Sequence, residues 1–194
     1  MLAPARDSRV MSFLIAGLVL FLGIHLVPMA PGLRERLVVR YGDRPYRAIF
    51  SLFAAIGLVL IIAGWHLRPE RAQLFAPLAA AQSVAPAAVT IAFILFAAAN
   101  MKTHIRSIVR HPMLIGLILW SGVHVLANGD VAGTVLFGSF LAYAILDLVS
   151  AARRLRPLPA PEWKYDLMAL AGGLALALAT MHFHPYIFGT PPVV

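Results

Sequence analysis

The sequence predicts an all-α fold: a polytopic membrane helical bundle of about six transmembrane helices, with both termini external. Three observations carry that prediction. Of the 194 residues, 61% are hydrophobic and only 12% charged, whereas a soluble domain is about half apolar and about a quarter charged. The apolar residues fall into six runs, each close to the ~20 residues that cross a ~30 Å hydrocarbon core as a helix. The basic residues collect in alternate connections between those runs, as the positive-inside rule requires of a multi-pass protein. Cysteine is absent, which excludes disulfide scaffolds, iron–sulfur clusters, thiolate zinc sites and covalent haem attachment.

The first run, residues 10–29, is closed by Pro28, Pro31 and Gly32. Arg6 and Arg9 before it suggest a secretory signal, but the run is longer than a signal core and a basic segment, 34–47, follows it. It therefore reads as a retained span, with Met11 as an alternative start. The second run, 46–65, opens after Asp43 and Pro45 and carries Gly57 and Gly64 on one face, where another helix can approach closely. The third is 84–101. The fourth, 112–128, starts at Pro112 with His111 in the cap position. Only Gly129 and Asp130 separate it from the fifth, 131–151: the glycine suits a left-handed helix end and the aspartate caps the next helix, giving a tight antiparallel hairpin. The sixth, 167–188, follows Pro157, Pro159 and Pro161 and contains Gly172 and Gly173 as further close-approach positions. Together the runs form one transmembrane domain, 10–190, with short tails at 1–9 and 191–194.

Counted by connection along the chain, with Arg47 at the head of the second run taken with the connection before it, the basic residues number two, five, two, three, none, four and none, so one face has twelve and the other four. The twelve-charge face is expected to be cytoplasmic. These residues sit in short juxtamembrane loops with no folded basic surface behind them, which argues against nucleic acid and for contact with anionic lipid headgroups.

Ionisable groups at membrane depth are few: His25 in the first run, His124 in the fourth and Asp147 in the fifth. Each is a functional candidate because an unpaired polar group in hydrocarbon is costly. Asp147 is expected to form an interfacial ion pair with Arg110 or Arg154. His182 and His184, two apart, point in divergent directions on a helix and make a poor chelate, even with His66 at similar depth. His104 and His111 lie at the twelve-charge face, where His111 reads first as a helix cap or a headgroup contact.

His25 and His124 are embedded in apolar neighbours, and nothing local is expected to satisfy their nitrogens; each either donates to a neighbouring helix or binds a metal. Around His124, Trp120 and Asn128 lie four residues to either side, with Leu117 and Met113 further back, an apolar stripe with polar tips that suits a flat hydrophobic cofactor. Two histidines on different helices, without cysteine or a carboxylate cluster, fit axial ligation of haem b better than zinc or a di-iron site. Depth favours a different pairing. His25 lies about 6 Å and His124 about 20 Å from the same face at ~1.5 Å per residue, whereas two axial nitrogens are only about 4 Å apart, twice a ~2 Å metal bond. Side chains that lean toward their helix N-termini close part of the gap. His25 with His111, level in depth, is the alternative pair.

The motifs Gly17-Leu-Val-Leu-Phe-Leu-Gly-Ile-His25, Tyr46-Arg47-Ala-Ile-Phe-Ser51, Arg110-His111-Pro112-Met113, Leu119-Trp120 with His124 and Asn128-Gly129-Asp130, Phe137-Gly138-Ser139 and His184-Pro185-Tyr186-Ile-Phe188-Gly189 follow one another in order. In these the chain resembles the NnrU family of bacterial membrane proteins over nearly its whole length from Met11. The resemblance implies a multi-pass protein of the bacterial inner membrane, associated with denitrification and nitrogen-oxide metabolism. It also implies kinship with 15-cis-zeta-carotene isomerase, a haem b membrane enzyme whose proposed axial histidines match His25 and His124 by motif. That enzyme has a cysteine where this chain has Ser121, so thiol ligand exchange is not expected here.

Two functions follow as expectations. The first is a haem b protein, with His25 and His124 as ligands and Trp120 beside them, acting in nitrogen-oxide handling or in cis–trans isomerisation of a polyene such as zeta-carotene, a hydrophobic small molecule. The second is a haem-free transporter or an accessory subunit that helps a membrane partner protein assemble. Against a transporter stand the lack of an internal repeat, of midplane carboxylates and of facing broken helices.

Overall fold

The computed structural model describes residues 4–30, 32–67, 72–153 and 157–189, with side chains from residue 11 onward. Among them are eight helices: α1 (Pro4–Leu26), α2 (Leu33–Tyr41), α3 (Asp43–His66), α4 (Ala79–Ala98), α5 (His104–Val109), α6 (Pro112–Asn128), α7 (Val131–Ala152) and α8 (Trp163–Phe188). The six apolar runs correspond to α1, α3, α4, α6, α7 and α8. Four of these, α3, α4, α7 and α8, are long and apolar enough to cross a membrane, while Met11–Leu26 and Pro112–Asn128 are shorter apolar helices. Arg68, Arg71, Arg154 and Arg156 and the tail 191–194 lie outside the described residues.

The boundaries differ from the hydropathy runs where local chemistry extends a helix. Helix α4 begins five residues before Val84, because Ala79, Ala80 and Ala81 are strong helix formers and Pro86 is tolerated within it. Helix α8 begins at Trp163, with Asp166 in its first turn, where a carboxylate suits the positive end of the helix dipole. The short helices α2 and α5 were not expected, since hydropathy alone does not pick out helices in charged connections.

The chain forms two compact units, Met1–Ala72 and Gln73–Val194. In the first, α1 packs on α3 through Leu14, Leu18 and Ile61, all buried, with three glycines at the crossing. A Cβ on Gly17 would lie 2.6 Å from the Ile61 amide nitrogen, one on Gly57 2.7 Å from that of Phe21, and one on Gly64 2.5 Å from that of Leu14. Gly57 and Gly64 thus serve the close approach expected of them, which maximises dispersion contact where lipid supplies no hydrophobic drive.

In the second unit α4 is the central helix, packed on α6 and α8, and α6 packs in turn on α7. Its buried face repeats at helical spacing: Ala81, Ala85, Val89, Ala92, Leu95 and Ala98. Ala169, Gly173 and Ala177 of α8 are buried at four-residue intervals, and a Cβ on Gly173 would run into the Ile94 backbone. Gly172 is a correction: nothing lies within 4 Å of a Cβ placed there.

The α6–α7 hairpin forms as the sequence indicates. Gly129 takes φ 69° and ψ 0°, and the Asp130 carboxylate accepts the Gly133 amide at 2.8 Å. The preceding loop is pinned to this turn, with the Leu74 and Phe75 amides donating to the Gly129 carbonyl at 2.8 and 3.1 Å and the Gln73 side chain donating to the Asn128 carbonyl at 3.1 Å. Replacing Gly129 with alanine is expected to cost at least about 1 kcal/mol from the left-handed backbone alone, and more because the new Cβ would meet the Phe75 carbonyl. Thermal melting in detergent checks it; an unchanged melting temperature would show that the loop is not held by the turn.

Candidate functional site

His25 lies in the last turn of α1 and His124 near the end of α6. His25 belongs to the first unit and His124 to the second.

The expectation that nothing local satisfies these rings is overturned. The His25 Nδ1 is 2.6 Å from the Phe21 carbonyl and the His124 Nδ1 is 2.7 Å from the Trp120 carbonyl, each four residues back along its own helix. In apolar sequence the preceding turn is the polar partner always at hand, because carbonyls keep spare lone pairs. A carbonyl only accepts, so Nδ1 is the donor, and in the neutral ring the lone pair then resides on Nε2. Fixing one nitrogen in this way sets the tautomer and orients the other for metal binding. The bond alone does not mark a ligand, since exposed His66 makes it too, to the Ile62 carbonyl at 2.9 Å.

Aromatic rings adjoin both His25 and His124. The His25 ring lies 4.4 Å from that of Phe21 and meets the edge of Phe50 at 5.0 Å between centroids. The His124 ring lies 4.6 Å from Phe137 of α7 and 5.1 Å from Trp120. Trp120 in turn makes edge contacts with Phe137 and Phe140 and packs on the buried cluster Ala85, Val89 and Val123. Trp120 therefore adjoins His124 as the helical spacing indicated, while Phe21, Phe50, Phe137 and Phe140 were not singled out beforehand. The available signal was one aromatic four residues before each histidine, Phe21 before His25 and Trp120 before His124. Ser121 is fully buried and donates to the Leu117 carbonyl at 2.5 Å.

The remaining candidates are placed as follows. His111 is the N-cap of α6, with Pro112 at the first helical position. Helix α8 runs on through His182 and His184 to Phe188, so those two do not converge. Asp147 accepts from the Tyr143 hydroxyl at 3.2 Å; of the two arginines expected beside it, Arg154 lies outside the described residues.

One constellation was missed altogether. Asp166 of α8 is buried, and its carboxylate accepts the backbone amides of His104 and Ile105 at 2.9 and 3.3 Å and the His104 ring Nδ1 at 2.6 Å. The His104 ring also stacks on Trp163 at 4.1 Å. Next to it the Glu162 amide donates to the Lys102 carbonyl at 2.8 Å. These bonds bring the ends of α4 and α5 together with the start of α8, so two basic connections share one end of the second unit. Glu162 bonds the Lys164 ammonium at 2.7 Å, and that contact holds its carboxyl below the usual value. What the contact contributes is in place at neutral pH and fades as pH falls through the lowered value. Asp166→Asn, which puts an amide where three donors converge, is expected to lower the melting temperature by several degrees; a melt matching the wild type would show the cluster to be incidental.

Among the described residues no three histidine, cysteine or acidic side chains are grouped to hold a metal ion. A bare ion needs three or more protein donors. A porphyrin brings four nitrogens of its own and asks the protein only for axial ones, which two oriented imidazoles in aromatic surroundings can supply. Within its own unit each of the two imidazoles offers one such donor.

These features define a helical membrane protein, rich in small-residue helix contacts, with two aromatic-flanked histidines in its apolar helices. The profile of the NnrU protein family matches residues 13–192, and the chain belongs to that family. No curated protein and no solved structure matches it.

Proposed function

We propose that this protein binds haem b through His25 and His124, with Trp120 beside the second ligand, as a multi-pass protein of the bacterial inner membrane whose twelve-charge face is cytoplasmic. One observation carries the reading: both intramembrane histidines use Nδ1 on a preceding carbonyl and lie among aromatic rings. Each ring thereby keeps its lone pair on Nε2, the atom that would hold a metal. Haem would supply redox chemistry and exchangeable coordination. The chain's own residues fix the imidazoles, keep water out and offer apolar surface to a hydrophobic small molecule. The chemistry proposed is a role in nitrogen-oxide metabolism or the cis–trans isomerisation of a polyene such as zeta-carotene; His111 is the alternative ligand.

The test is the absorption spectrum of protein purified from haem-replete cells. A Soret band with one haem per chain supports the reading. A colourless preparation overturns it in favour of a haem-free accessory subunit or transporter. With haem present, incubation with a 9,15,9′-tri-cis carotenoid separates the two chemistries, since only an isomerase removes the central cis bond.

A further inference from the structure

Within the first unit, where α1 ends and α3 begins, an open cleft of about 300 Å³ is lined by Pro28, Arg34, Tyr46, Arg47, Phe50 and Ser51. Its walls are of two kinds. Pro28 and Phe50 are apolar, whereas Arg34 and Arg47 bring two guanidinium groups and Tyr46 and Ser51 two hydroxyls. Asp43 lies between the arginines, 2.8 Å from the Arg47 Nε and 4.0 Å from the Arg34 Nη2. One carboxylate thus answers two cations, and the group keeps a net positive charge. The Arg34 guanidinium also lies 5.7 Å from the centre of the Tyr46 ring, a cation–π distance that steadies it.

Phe50 ties this cleft to the candidate ligand, since it lines the cleft and also meets the His25 ring edge to face. Pro28 is three residues beyond His25, in the turn that follows α1. An apolar ring bound at His25 would therefore have, within its own unit, a cationic recess immediately next to it.

We infer that this cleft is a carboxylate subsite that takes the propionate groups of haem b, an inference that rests on the haem reading above. Haem b is a flat apolar ring with two acidic groups on one edge. In a membrane that edge needs cations near the water interface, because an unpaired carboxylate at depth is costly. Arginine is the side chain whose planar fork matches a carboxylate with two parallel hydrogen bonds. Two guanidiniums suit two carboxylates, with Asp43 holding the arginines in place until a ligand competes for them. A phospholipid headgroup shares the anionic chemistry, but it gives no reason for the cleft to share Phe50 with a buried histidine.

The experiment uses the full chain, produced in haem-deficient cells, purified in detergent and titrated with haem b or its dimethyl ester while the Soret band is followed. The wild type is expected to bind haem b about tenfold more tightly than the ester, a difference on the scale of one charge-assisted hydrogen bond. Arg34→Gln and Arg47→Gln should each weaken haem b severalfold and leave the ester unaffected. Asp43→Asn, which releases both guanidiniums, should tighten haem b, a gain that a folding defect does not imitate. Equal affinity for the two porphyrins, or arginine variants that bind haem b like the wild type, overturns the subsite and leaves the haem reading standing. If those variants instead lose only their retention on phosphatidylglycerol vesicles, the cleft belongs to lipid and the inference falls. Failure of the wild type to bind either porphyrin removes the haem reading and the subsite together.

Discussion

Replacing Gly64 with valine is expected to push α1 off α3 and destabilise the first unit by about 3 kcal/mol, the upper end of what overpacking costs. The size of the effect follows from what the new atoms would meet. A Cβ at Gly64 lies 2.5 Å from the Leu14 nitrogen and 2.8 Å from its Cα, and backbone cannot rotate aside as a flexible side chain can. Gly17 and Gly57 are under the same constraint from the facing helix, so relief at one crossing worsens the others. Gly23→Ala and Gly172→Ala provide the comparison, because nothing lies within 4 Å of a Cβ at either position; they should stay within about 0.5 kcal/mol of the wild type. Melting in detergent measures all three. Packing here also reaches the site, since a Cβ at Gly57 would meet the Phe21 nitrogen, Cα and Cβ, and the Phe21 carbonyl orients His25. Gly57→Ala should therefore weaken haem binding although Gly57 touches no ligand.

On the proposed haem reading, the second large effect is loss of the cofactor. His25→Ala and His124→Ala are each expected to abolish the Soret band, or reduce haem content at least about tenfold, since an axial bond of ~2 kcal/mol or more disappears with each ring. His66→Ala is the informative control, because His66 makes the same carbonyl bond at an exposed position and should retain full haem content. His111→Ala should retain it as well, His111 being placed as the cap of α6. If His111→Ala loses haem while His124→Ala keeps it, the ligand assignment passes to the alternative pair. Adding imidazole to either alanine variant should restore the band, which a fold defect would prevent.

Much of this was legible in the sequence because the relevant physics is local or compositional. Lipid as solvent demands long apolar helices, so the runs mark the spans. Gly129 and Asp130 specify a hairpin through backbone conformation and capping, and Gly57 with Gly64 specifies a helix contact through absent side chains. What stayed hidden depends on distance along the chain. Asp166 stands 62 residues from His104, and nothing in either neighbourhood announces the other. Gly172 and Gly173 look alike in sequence, yet only the second faces α4. The carbonyl bonds of His25 and His124 were within reach of a local argument: a buried imidazole on a helix turns first to its own preceding turn, and a distant partner is the less economical assumption.

The most direct test of the proposed haem site is low-temperature electron paramagnetic resonance of the purified wild-type protein and its two histidine variants. A low-spin signal of the two-imidazole type in the wild type, converted to high spin in whatever haem each of His25→Ala and His124→Ala retains, is the expected result. A high-spin wild type, or a low-spin signal that persists unchanged without either histidine, would contradict it.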